Sequence, residues 1–148
     1  MSSSDTALVF QTATPGLSRL DLRAFAERIS KEVADGRGFC CLITTDREVR
    51  RLNREFRKKD YPTDVLSFPA CEGDGSLGEI AVSFPTAQRQ AAEYGIRVVD
   101  EIEILMLHGV LHLLGMDHEK DRGRMARAES KWRAALGLPC GLIERVQP

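Results

Sequence analysis

The sequence lacks the features that would send a protein into or across a membrane. It contains no run of about 18 apolar residues, so no membrane-spanning helix is expected. The first residues, MSSSDTALVF, have neither the basic start nor the long apolar segment of a secretory signal. None of the four cysteines forms a C-x-x-C pair, which favours reduced thiols. These absences together predict a cytoplasmic protein.

A strong net charge is also missing. The formal charge is −1 over 148 residues, which excludes a protein that is basic throughout. Arg47–Lys59 is nevertheless locally basic, with seven lysines or arginines in thirteen residues. They are Arg47, Arg50, Arg51, Arg54, Arg57, Lys58 and Lys59. Two interpretations stay open: a contact to an RNA backbone, which guanidinium groups bind bidentately, or a solvated helix face balanced by neighbouring carboxylates.

The alternation of apolar runs and helical patterns predicts a single α+β domain over residues 1–148. About four strands should form one small mixed sheet, packed by about five helices. The strands are expected at Ala7–Gln11, Phe39–Thr44, Val65–Phe68 and Gly78–Phe84. The helices are expected from Ser18 to Gly36, from Thr45 with Val49, Leu52 and Phe56 buried, at Pro85–Tyr94 with Gly95 ending it, and from Asp100 to Gly115. A last helix is expected from about Asp121 to Leu136, with Met125, Glu129, Trp132 and Leu136 on one face.

The segment GDGSLG matches the G-x-G-x-x-G pattern of dinucleotide sites at Gly73, Gly75 and Gly78. In those sites the glycines follow a strand and open a helix. Here they lead into a predicted strand, so they indicate a turn between two strands. No nucleotide cofactor is expected.

All three histidines lie in HGVLHLLGMDH, residues 108–118. His108 and His112 are four residues apart, so both rings lie on one face of a helix. Gly115 is suited to end that helix, and the returning chain would bring His118 to the same point. Three imidazoles with an open fourth position are typical of catalytic zinc. The pattern predicts one Zn²⁺ ion bound by His108, His112 and His118, plus water or substrate.

The alternative is that these are core histidines satisfied by hydrogen bonds. The surrounding helix is apolar almost all round and should be buried. A buried polar group without a partner costs about 1–3 kcal/mol, so two stacked histidines there need one. A metal ion supplies it.

Gly109 separates this site from the zinc peptidases. Those enzymes carry a glutamate directly after the first histidine, where it activates water. A glycine there argues against a hydrolase of peptides or small amides. Which group accepts the proton stays open among Glu101, Asp117 and a group of the substrate.

The run HGVLHLLGMDH, with LNREFRKKDYPTDVLSFP before it and LGEIAVS between them, resembles the YbeY family of bacterial ribosomal-RNA maturation factors. The resemblance covers Leu52 to Asp121, with three motifs in register. One departure is Met116, where the family usually has tyrosine; it lies outside the metal ligands.

This resemblance implies a single-strand-specific, metal-dependent endoribonuclease that acts in maturation of the 16S ribosomal RNA 3′ end and in ribosome quality control. It implies that His108, His112 and His118 bind the metal, usually zinc. The family's conserved arginine falls on Arg57, the expected catalytic residue, which would stabilise charge on the phosphoryl group. The implied partners are single-stranded RNA, small-subunit ribosomal RNA, and ribosomal or assembly proteins.

A non-catalytic role is the main alternative. In a ribosome-assembly factor the metal would hold the fold together, and the basic surface would dock on RNA or on a ribosomal protein. An open coordination position argues against this interpretation but does not exclude it, because water can fill that position in a structural site.

Overall fold

The computed structural model describes residues 6–57, 63–70, 75–117, 122–140 and 142–143. Within them, four strands form one sheet: β1 (Ala7–Phe10), β2 (Cys40–Thr44), β3 (Val65–Pro69) and β4 (Gly78–Ser83). The five helices are α1 (Arg19–Glu32), α2 (Asp46–Arg57), α3 (Phe84–Tyr94), α4 (Val98–Leu113) and α5 (Arg124–Leu136). The strand order is β1-β2-β4-β3, and only the β3–β4 pairing is antiparallel. The predicted α+β fold, with a mixed four-stranded sheet and five helices, is confirmed.

The two faces of the sheet bury different clusters. Successive side chains of a strand point to opposite faces. On β2, Cys41 and Ile43 enter the main core, whereas Leu42 packs on a smaller cluster formed by Val49, Leu66 and Ala81. Helix α4 contacts β3 and β4, and helix α2 contacts the same two strands. The smaller cluster includes Val49 of α2, so α2 covers the face opposite α4.

Helix α4 runs through the centre of the main core. Eleven of its 16 residues are buried, which confirms the predicted buried helix. A Cβ atom at Gly109 would lie 3.0 Å from two side-chain carbons of Ile80 on β4, so glycine lets the helix approach the sheet closely. The Ser67 hydroxyl donates to the Gly109 carbonyl over 3.1 Å. In the described part of the chain, no helix has the length and apolar character needed to cross a membrane.

Several predicted helix starts are confirmed by their caps. The Ser18 hydroxyl accepts from the Asp21 amide at 3.2 Å, and the Thr45 hydroxyl accepts from the Glu48 amide at 3.2 Å. Gly95 ends α3 in the left-handed conformation, as expected from its position. These local hydrogen bonds fix where the chain enters each helix.

The prediction that Phe56 belongs to the buried stripe of α2 is wrong. Phe56 is 65% exposed, whereas Asn53 on the same helix is 1% exposed. The cluster beneath α2 is small, and Val49 with the half-buried Leu52 is enough to cover it. The helix therefore needs only a narrow apolar stripe, and Phe56 lies outside it.

Other boundaries differ by a few residues. Helix α4 begins at Val98 rather than Asp100, because Arg97 is its N-cap and holds Asp100 in the first turn through hydrogen bonds of 3.0 and 2.9 Å. Phe84 opens α3 instead of ending β4, since Ser83 caps that helix. Helix α5 begins at Arg124, after Gly123.

Gly78 begins β4, as the turn interpretation of the glycine pattern requires. Its φ is +135°, and a Cβ atom there would lie 2.2 Å from the Phe68 carbonyl oxygen. Glycine is therefore needed for the close pairing of β3 with β4. Gly73 lies outside the described residues.

Candidate functional site

Helix α4 places His108 and His112 one turn apart on the same face. Their Nε2 atoms lie 3.1 Å from each other. The ring centroids are 4.7 Å apart, and the ring planes are inclined by 76°. The structure therefore brings two of the three predicted ligands to one point.

The other nitrogen of each ring, Nδ1, makes a hydrogen bond that fixes the orientation of the ring. His108 Nδ1 lies 2.8 Å from Glu129 Oε2, and His112 Nδ1 lies 2.9 Å from the Met116 carbonyl oxygen. A carbonyl oxygen can only accept, so His112 must donate from Nδ1, and an ionised Glu129 requires the same of His108. In the neutral imidazole, Nε2 is then the acceptor. Both acceptor atoms therefore face the same small region.

This arrangement fits a zinc ion. Two nitrogens bound to one tetrahedral zinc at about 2.0–2.1 Å lie about 3.3 Å from each other, close to the distance between the two Nε2 atoms. Hydrogen bonds from a carboxylate or carbonyl to the outer nitrogen are the usual support of a ligating histidine. His118 lies outside the described residues. Among those that are described, no three histidine, cysteine or acidic side chains converge.

The histidine pair borders an open cleft of about 490 Å³. One wall comes from α4 and the turn after it, and the other from α2, β3 and the residues that precede β3. Besides the histidines, the cleft is lined by Asn53, Thr63, Asp64, Val65, Leu66, Ser67, Pro69, Gly115, Met116, Asp117 and Leu142. Such a volume lies within the range of sites that accept small molecules or parts of larger ones.

The two carboxylates considered as proton acceptors lie in different surroundings. Glu101 is fully buried in the first part of α4, about two turns before His108. Asp117 lines the cleft. Burial therefore keeps Glu101 away from a substrate in the cleft, whereas Asp117 is accessible to one.

Helix α2 is fixed at its start by Asp46. This side chain accepts hydrogen bonds from Ser83, from Thr86 at 2.6 Å and from Arg89 at 3.2 Å, all near the start of α3. Burial works to raise the pKa of Asp46, but these hydrogen bonds and the charge of Arg89 outweigh it and lower the pKa. Asp46 therefore stays ionised and ties the two helices together.

The basic stretch is partly balanced by acidic neighbours. Arg51 pairs with Glu48 at 2.6 Å and with Glu55 at 2.7 Å, which supports the solvated-face interpretation for this residue. Arg47, Arg50 and Arg54 border a separate cleft of about 520 Å³. Arg57 is the last residue of α2; its side chain, and the whole of Lys58 and Lys59, lie outside the described part of the chain.

Glu129 is a residue of the candidate site that was not predicted from the sequence as part of it. It is 1% exposed, bonds to His108, and accepts from the Ile143 amide at 2.7 Å. Its signal is a carboxylate on the apolar face of α5, between Met125 and Leu136. A charged residue at such a position needs a partner.

The fold and the site together define an α+β protein whose buried central helix presents paired imidazoles to an open cleft. The family described as "Endoribonuclease YbeY" matches residues 16–137. The chain belongs to this family.

The similar proteins agree with that assignment. An Endoribonuclease YbeY from Solibacter usitatus is 60% identical over 142 residues, covering 96% of this chain and 95% of its own. One from Koribacter versatilis is 45% identical over 138 residues, covering 93% and 90%. The solution structure of the Thermotoga maritima protein TM1509 matches with a TM-score of 0.55 at 27% identity, covering 88% of this chain and 93% of its own.

Proposed function

We propose that this protein is a single-strand-specific, zinc-dependent endoribonuclease of the cytoplasm. The observation that carries the proposal is the 3.1 Å approach of the His108 and His112 Nε2 atoms beside an open cleft. Its relatives from Solibacter usitatus and Koribacter versatilis, each an Endoribonuclease YbeY, support RNA cleavage as the reaction. Action on the 3′ end of 16S ribosomal RNA, in ribosome quality control and with ribosomal or assembly proteins rests on the family resemblance alone.

His108 and His112 would hold the ion, with His118 as the proposed third ligand. A bound zinc ion supplies a Lewis acid and lowers the pKa of its water. Glu129 and the Met116 carbonyl keep the two imidazoles in the tautomer that leaves Nε2 available. The protein's own contribution is thus a preorganised pair of ligands in a cleft that a flexible RNA strand can enter.

Arg57 is the proposed residue for the phosphate. As the last residue of α2 it follows Asn53 by one turn, and Asn53 lines the histidine cleft. A guanidinium group can bind two phosphate oxygens at once and stabilise charge that develops during cleavage. The proposed charge-stabilising residue therefore belongs to the helix that forms one wall of the site.

Gly109 supports RNA rather than a peptide as the substrate. The zinc peptidases place their base at this position, but here a side chain would meet Ile80 of the sheet. The position faces the core and not the cleft. A peptidase reaction of the usual kind therefore lacks its base.

The test is cleavage of a labelled single-stranded RNA by zinc-loaded protein, beside the same sequence annealed into a duplex. Arg57→Ala and His112→Ala, purified identically, are the variants. The parent should cut the single strand, Arg57→Ala should bind zinc but lose turnover, and His112→Ala should lose both. Equal cutting by all three preparations would indicate a contaminant. No cutting by zinc-loaded parent would favour an assembly factor with a structural metal.

A further inference from the structure

Phe56 is an exposed aromatic side chain with no role in the core. It is 65% exposed near the end of α2, although its neighbours Leu52 and Asn53 are partly or fully buried. Its ring centroid lies 5.8 Å from that of Phe68 on β3, with an edge-to-face angle of 71°. This contact orients the Phe56 ring without covering it.

A groove of about 390 Å³ lies beside this aromatic pair. Leu52 and Phe56 of α2 form one wall, and Leu42, Ala81 and Phe68 of the sheet form the other side. The groove is mainly apolar. It is an apolar slot bordered by an aromatic ring.

The charge around the groove favours an anionic partner. Helix α2 carries five arginines against three acidic residues. The groove itself is lined by Glu79 and by Arg51, which pairs with Glu48 and Glu55, so the excess positive charge lies in the adjoining cleft on the same helix. Arg47, Arg50 and Arg54 line that cleft. An uncharged apolar partner would contact the groove but would make no ion pairs with the basic surface of α2. A polyanion with flat apolar rings would use both features.

The groove and the histidine cleft share two elements. On β3, Leu66 lines the histidine cleft and Phe68, two residues later, lines the groove. On α2, Asn53 lines the cleft and Phe56, one turn later, lines the groove. Two residues of a strand span about 7 Å, so the cleft and the groove border the same short stretch of β3. One RNA chain can therefore reach both.

We propose that Phe56, supported by Phe68, stacks on an unpaired base of a single-stranded RNA whose backbone passes the histidine cleft. This inference rests on RNA being the ligand of the proposed function. Bases in a duplex are already stacked on each other, whereas splayed single-stranded bases stack on aromatic side chains. The aromatic pair thus gives the protein a physical means of preferring single strands.

The test uses an oligonucleotide that is checked on a gel to stay intact during the titration, so that binding is measured apart from hydrolysis. A fluorescent 2′-O-methyl oligonucleotide is titrated by anisotropy against the parent, Phe56→Leu and Phe56→Tyr. Phe56→Leu keeps an apolar side chain without the ring and should bind about tenfold more weakly, while Phe56→Tyr should bind like the parent. Leu20→Ala removes another exposed apolar side chain, 81% exposed on α1, and should have no effect.

A second readout reports on stacking directly. The chain has one tryptophan, so Phe56→Trp in a Trp132→Phe background places a single fluorophore at the platform. The base-bearing oligonucleotide should quench its fluorescence with saturation. An abasic oligonucleotide of the same length, which has the backbone alone, should not.

Three outcomes would overturn the platform. The first is parent-like oligonucleotide binding by Phe56→Leu, and the second is equal quenching by the abasic strand. The third is a Phe56→Leu variant that loses self-association but keeps its affinity for RNA. The last would assign the groove to a second copy of the chain. Base-dependent quenching in a protein that does not cut RNA would support the platform and reject the hydrolase. Cleavage by the parent together with unchanged oligonucleotide binding by Phe56→Leu would support the hydrolase and reject the platform.

Discussion

Glu129 on α5 holds His108 on α4 through a 2.8 Å contact between its Oε2 atom and the ring Nδ1. The other carboxylate oxygen accepts the Ile143 amide at 2.7 Å, so both oxygens act as hydrogen-bond acceptors. One buried carboxylate therefore joins the histidine helix, the last helix and the segment that follows it.

Replacement of Glu129 should weaken zinc binding. In Glu129→Gln, the amide has one acceptor oxygen for two donors, so either His108 or Ile143 faces an NH₂ group. Loss of such support typically lowers metal affinity 10- to 100-fold. Competition with a chromophoric zinc chelator measures this, with Glu32→Gln, an exposed residue of α1, as the control. Parent-like affinity in folded Glu129→Gln would show that this contact does not tune the metal site.

Zinc should stabilise the folded protein. A ligand present at 100 times its Kd adds about 2.7 kcal/mol to the free energy of unfolding, provided that it binds only the native state. Urea unfolding with zinc and with a chelator should show this difference in the parent and in Gln88→Ala, an exposed site on α3. In His112→Ala the difference should vanish. A zinc effect that survives in His112→Ala would place the ion elsewhere.

Gly109→Ala tests whether close packing outweighs helix propensity. In an open helix, replacing glycine by alanine stabilises by about 1 kcal/mol. Here the new methyl group would lie 3.0 Å from Ile80, so we expect a loss of about 1–3 kcal/mol. Denaturant unfolding gives the sign, and the difference between Ser130→Gly and Ser130→Ala at an exposed helix position measures the propensity gain alone. A more stable Gly109→Ala would mean that α4 does not need glycine to reach the sheet.

Glu103 should make stability depend on pH. Burial raises the pKa of its half-buried carboxyl from 4.5 to about 7. The charges of Asp100 and Asp21 add to this effect, and the charge of Arg97 opposes it. The folded state holds the proton of Glu103 more tightly than the unfolded state does. The contribution of Glu103 to the free energy of unfolding therefore falls as pH rises from about 4.5 to 7, and it is constant above pH 7. Partial exposure limits the effect to about 1 kcal/mol.

The comparison of Glu103→Gln with the parent isolates this effect. The parent should lose stability relative to Glu103→Gln between pH 5 and pH 8, measured by urea unfolding at each pH. A constant difference between the two proteins over that interval would show that Glu103 has an ordinary pKa.

The sequence was most informative where local chemistry decides the structure. The hydroxyl caps at Ser18 and Thr45 and the left-handed Gly95 each act within a few residues, and all were predicted in place. The convergence of His108 and His112 follows in the same way from the period of a helix. Local rules thus predicted most of the elements and the pair of histidines.

The features that could not be predicted from the sequence depend on contacts between distant segments of the chain. Phe56 fits the helical period of Val49 and Leu52, but whether it is buried depends on how much of the sheet lies beneath the end of α2. Glu129 was predicted on one face of the last helix with Met125, Trp132 and Leu136, and it is buried there. Its bond to His108, 21 residues away, could not be read from either helix alone.

The bond between Glu129 and Ile143 has a practical consequence for anyone preparing this protein. Ile143 and its neighbour Leu142, which lines the cleft, make the segment after α5 part of the site's scaffold. Strand β1 lies at the opposite edge of the sheet from β3, three strand spacings or about 14 Å away. An affinity tag is therefore best attached ahead of β1, because a fusion after Ile143 loads the segment that positions His108.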